Sequence, residues 1–333
     1  MVIIQSTGLA ILLCVITMLC WGSWANTQKL ASREWKFQLF YWDYSIGVLL
    51  LSLIFAFTLG SMGTAGRSFL ADLGQAEGAS IILPILGGVV FNLSNILLVA
   101  AIDIAGMAVA FPIGVGIALV EGVILTYILK PAGNPYLLFL GVGFVVLAII
   151  VDAIAYKRIG SGEKVPTKGI VISIAAGVLM GSFFYLVAAG MSQNPDPAVL
   201  DAGKVGNYSA VFLAMVGLFL SSFLWNTIVM KKPFTGDPVP MSDYFKGDLK
   251  LHSIGILGGI IWCIGFSLNL IAAGKAGYAI SYGLGQGATL IGAIWGVFIW
   301  KEFKGAKPGT NSLLALMFVL YLVGLGTIIV ASN

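Results

Sequence analysis

The sequence predicts an all-α polytopic membrane protein, with ten transmembrane helices arranged as two inverted five-helix repeats. Composition is the first observation behind this fold class: the 333 residues are 59% hydrophobic and only 10% charged, with a mean hydropathy of +1.00. A soluble domain carries about 25% charged residues, so water is not the main solvent here. The other two observations are the continuity of the apolar runs and a long segment that recurs later in the chain.

Ten apolar runs are long enough to cross a bilayer, which takes roughly 20 residues as a helix. A membrane β-barrel would instead show segments of about ten residues that alternate apolar and polar. Because these runs are unbroken, they predict helices. The first run is too long for the core of a signal peptide, and no basic residue precedes it, so no cleavable signal is expected. The expected spans are 4–25, 40–60, 80–101, 104–129, 136–156, 169–190, 208–229, 252–273, 276–300 and 311–331.

One segment of the chain is repeated. Ile85 to Lys130 recurs without a gap as Ile256 to Lys301, with 14 identities in 46 positions. Glycines held in register carry the match, because shared apolar composition alone does not place them. We expect a tight turn at Asp103, between the third and fourth spans, and its counterpart at Gly274-Lys275, between the eighth and ninth.

The repeat divides the chain into halves of five spans, residues 1–160 and 161–333, within one membrane domain. Because five is odd, the second half enters the membrane in the opposite sense. This predicts an inverted-topology repeat, an arrangement typical of transporters. Two Gly-x-Gly pairs, Gly114 with Gly116 and Gly285 with Gly287, are expected to let helices approach closely.

Basic residues fall mainly on one face of the predicted topology. The loops after the odd-numbered spans hold fourteen of the eighteen, and the other face holds four. This bias predicts that the richer face is cytoplasmic and that both termini are extracytoplasmic, in an inner or plasma membrane. Topology therefore explains the basic residues without a nucleic-acid partner. The fourteen are Lys29, Arg33, Lys36, Lys157, Arg158, Lys164, Lys168, Lys231, Lys232, Lys246, Lys250, Lys301, Lys304 and Lys307.

Other function classes lack the residues they would need. The three cysteines all fall inside predicted spans, which favours buried apolar roles over disulfides. The chain has one histidine, and no metal-ligand spacing or catalytic constellation is evident, so neither an enzyme nor a cofactor is predicted. A receptor role stays open, although it would leave the inverted repeat without a use.

Several short patches resemble known transporter families. The end of the ninth span, Trp295 to Gly305, resembles the glucose/ribose porter and rhamnose–proton symporter families. Tyr41 to Ile46, with Phe57 to Gly60, resembles the second helix of plant ureide permeases, and Ser94 to Gly106 resembles the turn between their third and fourth helices. With ten spans in two inverted halves, the chain resembles the drug/metabolite transporter superfamily.

The resemblance implies a secondary porter, often proton-coupled, for a small polar solute such as a sugar or an oxo derivative of purine. The prediction put first is import of a small neutral solute, a sugar, by proton symport with alternating access. Two alternatives share the fold: a ureide or purine permease, and an exporter of metabolites or drugs. The oligomeric state is not predicted.

Uncharged polar and aromatic residues within the spans are candidates for binding the solute, because such groups are costly against lipid. Asn92 and Asn95 share a helix face and offer donors and acceptors; helix–helix hydrogen bonding is the alternative. Tyr278, Tyr282 and Gln286 form a stripe at four-residue spacing, and Phe111 is the repeat counterpart of Tyr282. Packing between helices is the alternative for these aromatic residues.

Two acidic residues are candidates for proton coupling. Glu121 is the acidic residue predicted deepest in a span, and a structural carboxyl bonded to a neighbouring helix is its alternative. Asp43 lies in the patch that resembles ureide permeases, although near a predicted interface. Trp21 and Trp24 are expected in the interfacial aromatic belt.

Overall fold

The computed structural model describes residues 1–31, 34–159, 166–194, 196 and 198–332. The predicted boundary between the halves, at 160 and 161, lies outside these residues, as do Arg33 and Lys164. In the described part of the chain, ten helices are long and apolar enough to cross a membrane, which confirms the prediction of an all-α polytopic membrane protein with ten spans. We number them α1 (Thr7–Ala31), α2 (Phe37–Phe57), α3 (Gly78–Ala105), α4 (Met107–Leu129), α5 (Pro135–Lys157), α6 (Thr167–Gly190), α7 (Asn207–Lys231), α8 (Leu249–Ala276), α9 (Tyr278–Ile299) and α10 (Thr310–Ala331).

Local sequence sets several helix ends. α5 begins where the side chain of Asn134 accepts from the amides of Tyr136 and Leu137, with Pro135 in the first turn, a position that needs no amide donor. α8 begins where Asp248 accepts from the Leu251 amide at 2.8 Å. Two short helices that the hydropathy pattern did not predict lie in connections: an α-helix, Phe69–Gln75, and a 3₁₀ helix, Met241–Lys246.

The tight turns between adjacent spans fall three residues later than predicted. Asp103 lies inside α3, and Gly274-Lys275 lies inside α8. The chain turns at Gly106 (φ 78°, ψ 155°) and at Gly277 (φ 89°, ψ 149°). Both have a positive φ, which glycine adopts without the steric cost that a Cβ brings, so the turn follows the glycine. These two residues occupy the same position in the repeated segment.

Helices α3 and α8 lie at the centre of the bundle, each packed against helices of the other half. α3 contacts α6 and α7, and α8 contacts α1 and α2. α4 packs on α6 as α9 packs on α1, and α5 pairs with α10. Each contact thus has a counterpart five helices along the chain. Leucine, isoleucine, valine and phenylalanine side chains are exposed on the outer surface of the bundle, the surface that lipid would cover.

Close backbone approaches join the central helices. A Cβ on Gly88 of α3 would collide with the carbonyl oxygen of Ala214 in α7, and a Cβ on Gly259 of α8 with that of Tyr44 in α2. A Cβ on Gly116 would meet nothing within 4 Å. The prediction of a close approach is therefore wrong for Gly116.

Candidate functional site

Aromatic rings from five helices meet at Trp262 in the centre of the bundle. The Trp262 ring stacks on Phe91 of α3 with ring centroids 4.5 Å apart, and on Trp21 of α1 at 5.9 Å. Phe266, one turn further along α8, stacks on Trp262 at 5.3 Å, and Phe183 of α6 lies 4.8 Å from Phe91. We call this set, with three further rings, the aromatic core. It comprises Trp21, Trp24, Tyr41, Tyr44, Phe91, Phe183, Trp262 and Phe266.

Tyr44 contributes a polar atom to the aromatic core. Its ring meets Trp262 edge-on at 6.4 Å, stacks on Tyr41 at 5.3 Å and lies 5.0 Å from Trp24. The side chain is fully buried, and no described residue pairs with its hydroxyl. A buried hydroxyl without a partner costs about 1–3 kcal/mol. Such a group calls for an explanation, and a ligand that bonds to it is one.

Two asparagines of α3 lie beside Tyr41, but their partners differ. Asn92 accepts from the Tyr41 hydroxyl at 2.8 Å and donates toward the Leu218 carbonyl and Ser221 hydroxyl of α7, at 3.0 and 2.8 Å. These bonds tie α2, α3 and α7 together. Asn95 donates to the Tyr41 hydroxyl over 3.3 Å. Asn95 thus has fewer bonds to lose when a solute approaches.

Small residues make room for the indole of Trp21. A Cβ on Gly265 of α8 would lie 2.7 Å from the Trp21 ring, and one on Gly285 of α9 would lie 2.9 Å from it. The indole nitrogen donates to the carbonyl oxygen of Trp262 over 3.3 Å. Trp21 therefore faces the interior of the helix bundle instead of the predicted aromatic belt. Trp24, which contacts Tyr44, also faces the interior of the bundle.

The predicted stripe on α9 reaches a change in the helix at Gln286, whose amide still donates to the Tyr282 carbonyl at 3.0 Å. The α-helical segment Tyr278–Gly285 ends before Gln286, and a second one begins at Ala288. The Tyr282 hydroxyl lies 3.2 Å from the carbonyl oxygens of Ala118 in α4 and Met180 in α6. The Tyr278 hydroxyl donates to the Ser192 carbonyl in the α6–α7 connection at 3.2 Å.

The remaining aromatic and amide candidates also lie apart from one another. Gln286 is buried at the break in α9. Phe111 packs against Leu98, Val115 and Ala176, in a cluster of α3, α4 and α6. The structure therefore places Asn92 and Asn95 next to the aromatic core, and Phe111, Tyr278 and Gln286 in other surroundings.

The two predicted acidic residues occupy different environments. Glu121 accepts from the Ser182 hydroxyl of α6 at 2.9 Å, and its side chain lies against Gly181. It is part-buried between α4 and α6. Asp43 is buried and accepts three hydrogen bonds at the opposite end of α2 from Phe57. In the described part of the chain, no group of three His, Cys, Asp or Glu side chains could hold a metal ion.

Sequence reasoning missed Trp262, the residue on which the aromatic core is built. One signal could have found it. In the repeated segment Trp262 occupies the position of Phe91, and both are large aromatic residues in otherwise aliphatic surroundings.

A bundle of ten apolar helices around a buried core of stacked rings and amide groups defines a membrane transporter. The model of the ureide permease family matches residues 40–165 and 156–332, so the chain belongs to that family. It is a family of transporters, not of enzymes. Ureide permease 1 of Arabidopsis thaliana is 23% identical over 390 residues, covering 100% of this chain and 99% of the relative.

Other relatives match part of the chain. Probable ureide permease A3 of Vigna unguiculata is 31% identical over 167 residues, covering 49% of this chain and 44% of the relative. Transmembrane protein 144 homolog B of Dictyostelium discoideum is 25% identical over 167 residues, covering 49% and 40%. One solved crystal structure superposes with a TM-score of 0.62 at 15% identity, covering 97% of this chain and 96% of that one. That likeness shows the fold alone.

The comparisons change the order of the sequence-based alternatives. Transport is confirmed, and so is a multi-pass membrane protein with a small-molecule solute. The matches name ureide permeases and give no support to the sugar symporter that the sequence interpretation put first. They fit the ureide alternative better.

Proposed function

We propose that this protein is a permease for a small, neutral, ring-shaped solute rich in amide groups, a ureide or an oxo derivative of purine, and that it imports this solute. The observation that carries the proposal is the unpaired Tyr44 hydroxyl, buried among stacked aromatic rings. The names of the relatives support the same class of solute.

The chemistry of the aromatic core suits such a solute. A flat heterocycle stacks on indole and phenyl rings through its π-face, an interaction of about 1–3 kcal/mol per ring in base recognition. Amide groups on its edge offer donors and acceptors to the Tyr44 hydroxyl and the Asn95 side chain. A site built to bond such groups discriminates strongly against analogues that lack them.

The two halves of the bundle supply a mechanism. Phe91 and Trp262 are equivalent in the repeat and stack directly on each other, which supports a pseudo-twofold axis through the aromatic core. An inverted repeat, with the halves near 1–160 and 161–333, would rock about this axis and expose the core to each side in turn. We call the end of the bundle that carries the lysines of the loops after the odd-numbered spans the basic end. In this arrangement the basic end would face the cytoplasm, and both termini would lie outside.

Proton coupling is assigned to Glu121 in this proposal. Its carboxyl lies at the α4–α6 contact, which joins the two halves. A proton bound there would change the charge at that contact, and so favour one arrangement of the halves. The Ser182 hydroxyl can donate to the ionised carboxylate or accept from the neutral acid.

The test is a thermal-shift titration of the purified protein with allantoin, xanthine and glucose, since a binder raises the melting temperature by mass action. Allantoin or xanthine should stabilise the wild type. Tyr44→Phe should weaken that binding about tenfold, without lowering the melting temperature of the unliganded protein. Tyr321→Phe is the matched control, because Tyr321 is also a fully buried tyrosine but lies in α10, outside the aromatic core.

Two outcomes would contradict the proposal. Stabilisation by glucose, without stabilisation by allantoin or xanthine, would support a sugar transporter instead. Equal binding by the wild type and the Tyr44→Phe variant would remove Tyr44 from the site.

A further inference from the structure

A second polar cluster surrounds Asp43, which lies in α2 between Tyr41 and Tyr44 of the aromatic core, and it extends to the connection before α8. There the Asp43 carboxylate of α2 accepts from three side chains. The Tyr244 hydroxyl donates at 2.6 Å and the Trp35 indole nitrogen at 3.0 Å. The Nδ1 atom of His252 in α8 lies 2.8 Å from Oδ1. The Asp43 side chain is 1% exposed and that of His252 23% exposed, so the carboxylate is buried while the imidazole is open to protons.

Aromatic rings and small residues fix the imidazole in place. The His252 ring meets Trp35 edge-on at 5.1 Å and Tyr244 at 4.8 Å. A Cβ on Gly247 would lie 2.8 Å from its Nε2 atom, and a Cβ on Gly255 would collide with the Asp43 side chain. Glycine at both positions therefore lets the imidazole and the carboxylate meet. Other charged groups on the elements packed around this cluster are Glu34, Lys36, Asp243, Lys246, Asp248 and Lys250.

Tyr244 belongs to the segment that connects α7 to α8, residues 232–248. This segment crosses a cavity of about 230 Å³ that is lined by Lys36, Asp103 and Asp237 among others. At the cavity, the Val239 amide donates to the Met230 carbonyl at 2.8 Å, and the Thr235 hydroxyl lies 3.5 Å from the Asp103 carboxylate. The hydrogen bond from Tyr244 to Asp43 joins the 3₁₀ part of the segment, 241–246, to the helix bundle. Burial, and then the bond to Asp43, raise the pKa of the Tyr244 hydroxyl, so Tyr244 stays a donor at neutral pH.

We propose that Asp43 and His252 form a proton-binding site that latches the 232–248 segment onto the basic end of the bundle. A neutral imidazole and an imidazolium can both donate from Nδ1, but the imidazolium adds an ion pair to the hydrogen bond, and charge-assisted bonds are roughly twice as strong. The protonated pair holds the carboxylate in the position that Tyr244 reaches. The inference goes beyond the proposed transport and holds for any solute.

The pH dependence follows from this geometry. When the imidazole is protonated, the ion pair is formed and the segment is held. When the imidazole is neutral, the ion pair is lost and the segment opens more often. We expect the amides of 241–246 to exchange with solvent about fivefold faster at pH 8 than at pH 5.5, after correction for intrinsic exchange rates.

The experiment uses the fact that His252 is the only histidine in the sequence. Full-length protein without a histidine tag, in lipid nanodiscs, gives one histidine resonance by NMR, and its titration is compared with hydrogen exchange of 241–246 on the same sample. Both should change with the same midpoint. In His252→Gln the segment should exchange at one corrected rate across this pH range. Tyr244→Phe should exchange fast at every pH while the bundle stays folded.

Lys246→Gln is the matched control. It removes a charge from the same segment, in an exposed ion pair with Asp243, and should keep the pH transition. Corrected exchange rates that do not change between pH 5.5 and 8, or a transition that persists in His252→Gln, would overturn the proposal. Neither result depends on whether a ureide binds. The proposed transport function and the proposed latch can therefore be contradicted independently of each other.

Discussion

Phe91 and Trp262 stack on each other at a centroid distance of 4.5 Å and an interplanar angle of 28°, although 171 residues separate them in the chain. They occupy equivalent positions of the repeated segment. Equivalent residues of two related halves meet only close to the axis that relates the halves. The pair therefore gives the proposed solute site its position, at the point where a rocking motion moves the surrounding helices least.

Removal of either ring should weaken solute binding more than it weakens the fold. For Trp262→Leu and Phe91→Leu we expect allantoin affinity to fall at least tenfold, because each removes a stacking partner of about 1–3 kcal/mol. Isothermal titration calorimetry on detergent-purified protein measures this. Trp225→Leu is the control, since Trp225 lies in α7, outside the aromatic core. Equal losses in all three variants would indicate a general effect on folding.

The glycine contacts between central helices should be sensitive to a single methyl group. A Cβ on Gly47 would collide with the Ile256 carbonyl, and a Cβ on Gly217 with the Ile85 carbonyl. Backbone cannot move aside as a side chain can, so Gly47→Ala and Gly217→Ala should each cost about 1–3 kcal/mol of unfolding free energy. Gly143→Ala should be neutral or stabilising, since nothing lies within 4 Å of its Cβ. Chemical denaturation in mixed micelles measures all three.

Hydropathy was enough to place the spans. The fifth was predicted at 136–156 and is Pro135–Lys157. The prediction works because the thickness of the bilayer sets the number of apolar residues that a spanning helix needs. Side-chain direction was not accessible in the same way. These helices are apolar on nearly all sides, so no polar face shows which residues point inward. Trp262 was missed for that reason.

The local geometry of α9 was not accessible from the sequence either. A regular helix was assumed for Tyr278, Tyr282 and Gln286, but the helix breaks at Gly285 to Gly287, and propensity alone does not say which Gly-x-Gly will break. In α4 the equivalent pair, Gly114 and Gly116, stays within a continuous helix. Tertiary contacts, such as that of Trp21 with Gly285, distinguish the two.

Replacement of Glu121 should separate coupling from binding. In Glu121→Gln the side chain keeps its size and can still accept from Ser182, so allantoin binding should stay within about threefold of wild type. Uptake into proteoliposomes should lose its dependence on an imposed pH gradient. Asp237→Asn, which removes an exposed carboxyl outside the α4–α6 contact, should keep that dependence. If the rate of uptake by the wild-type protein does not change with pH or with uncouplers, the symport proposal is wrong.

The α6–α7 connection should loosen in acid because of Asp201. Its carboxylate accepts from the Ser192 hydroxyl at 2.9 Å and from the Gln193 amide at 2.8 Å. These bonds, that of Ser192 first, lower the pKa of Asp201. A group with a lowered pKa contributes stability above its ordinary value, about 4, and loses it as the pH falls through the lower value. The connection should therefore be intact above the ordinary pKa of an aspartate, about 4, and should open only in more acidic solution.

Hydrogen exchange of the Gln193 amide, corrected for intrinsic rates, tests this expectation between pH 2.5 and 6. Asp201→Asn should exchange about fivefold faster than wild type at pH 6 and show no acid transition. Asp196→Asn is the control, because Asp196 accepts from the nearby Ala198 amide within the same connection and should leave the transition in place. An acid transition that survives in Asp201→Asn would assign it to another carboxyl. Because Tyr278 donates to the Ser192 carbonyl, the loosening should also reach the start of α9.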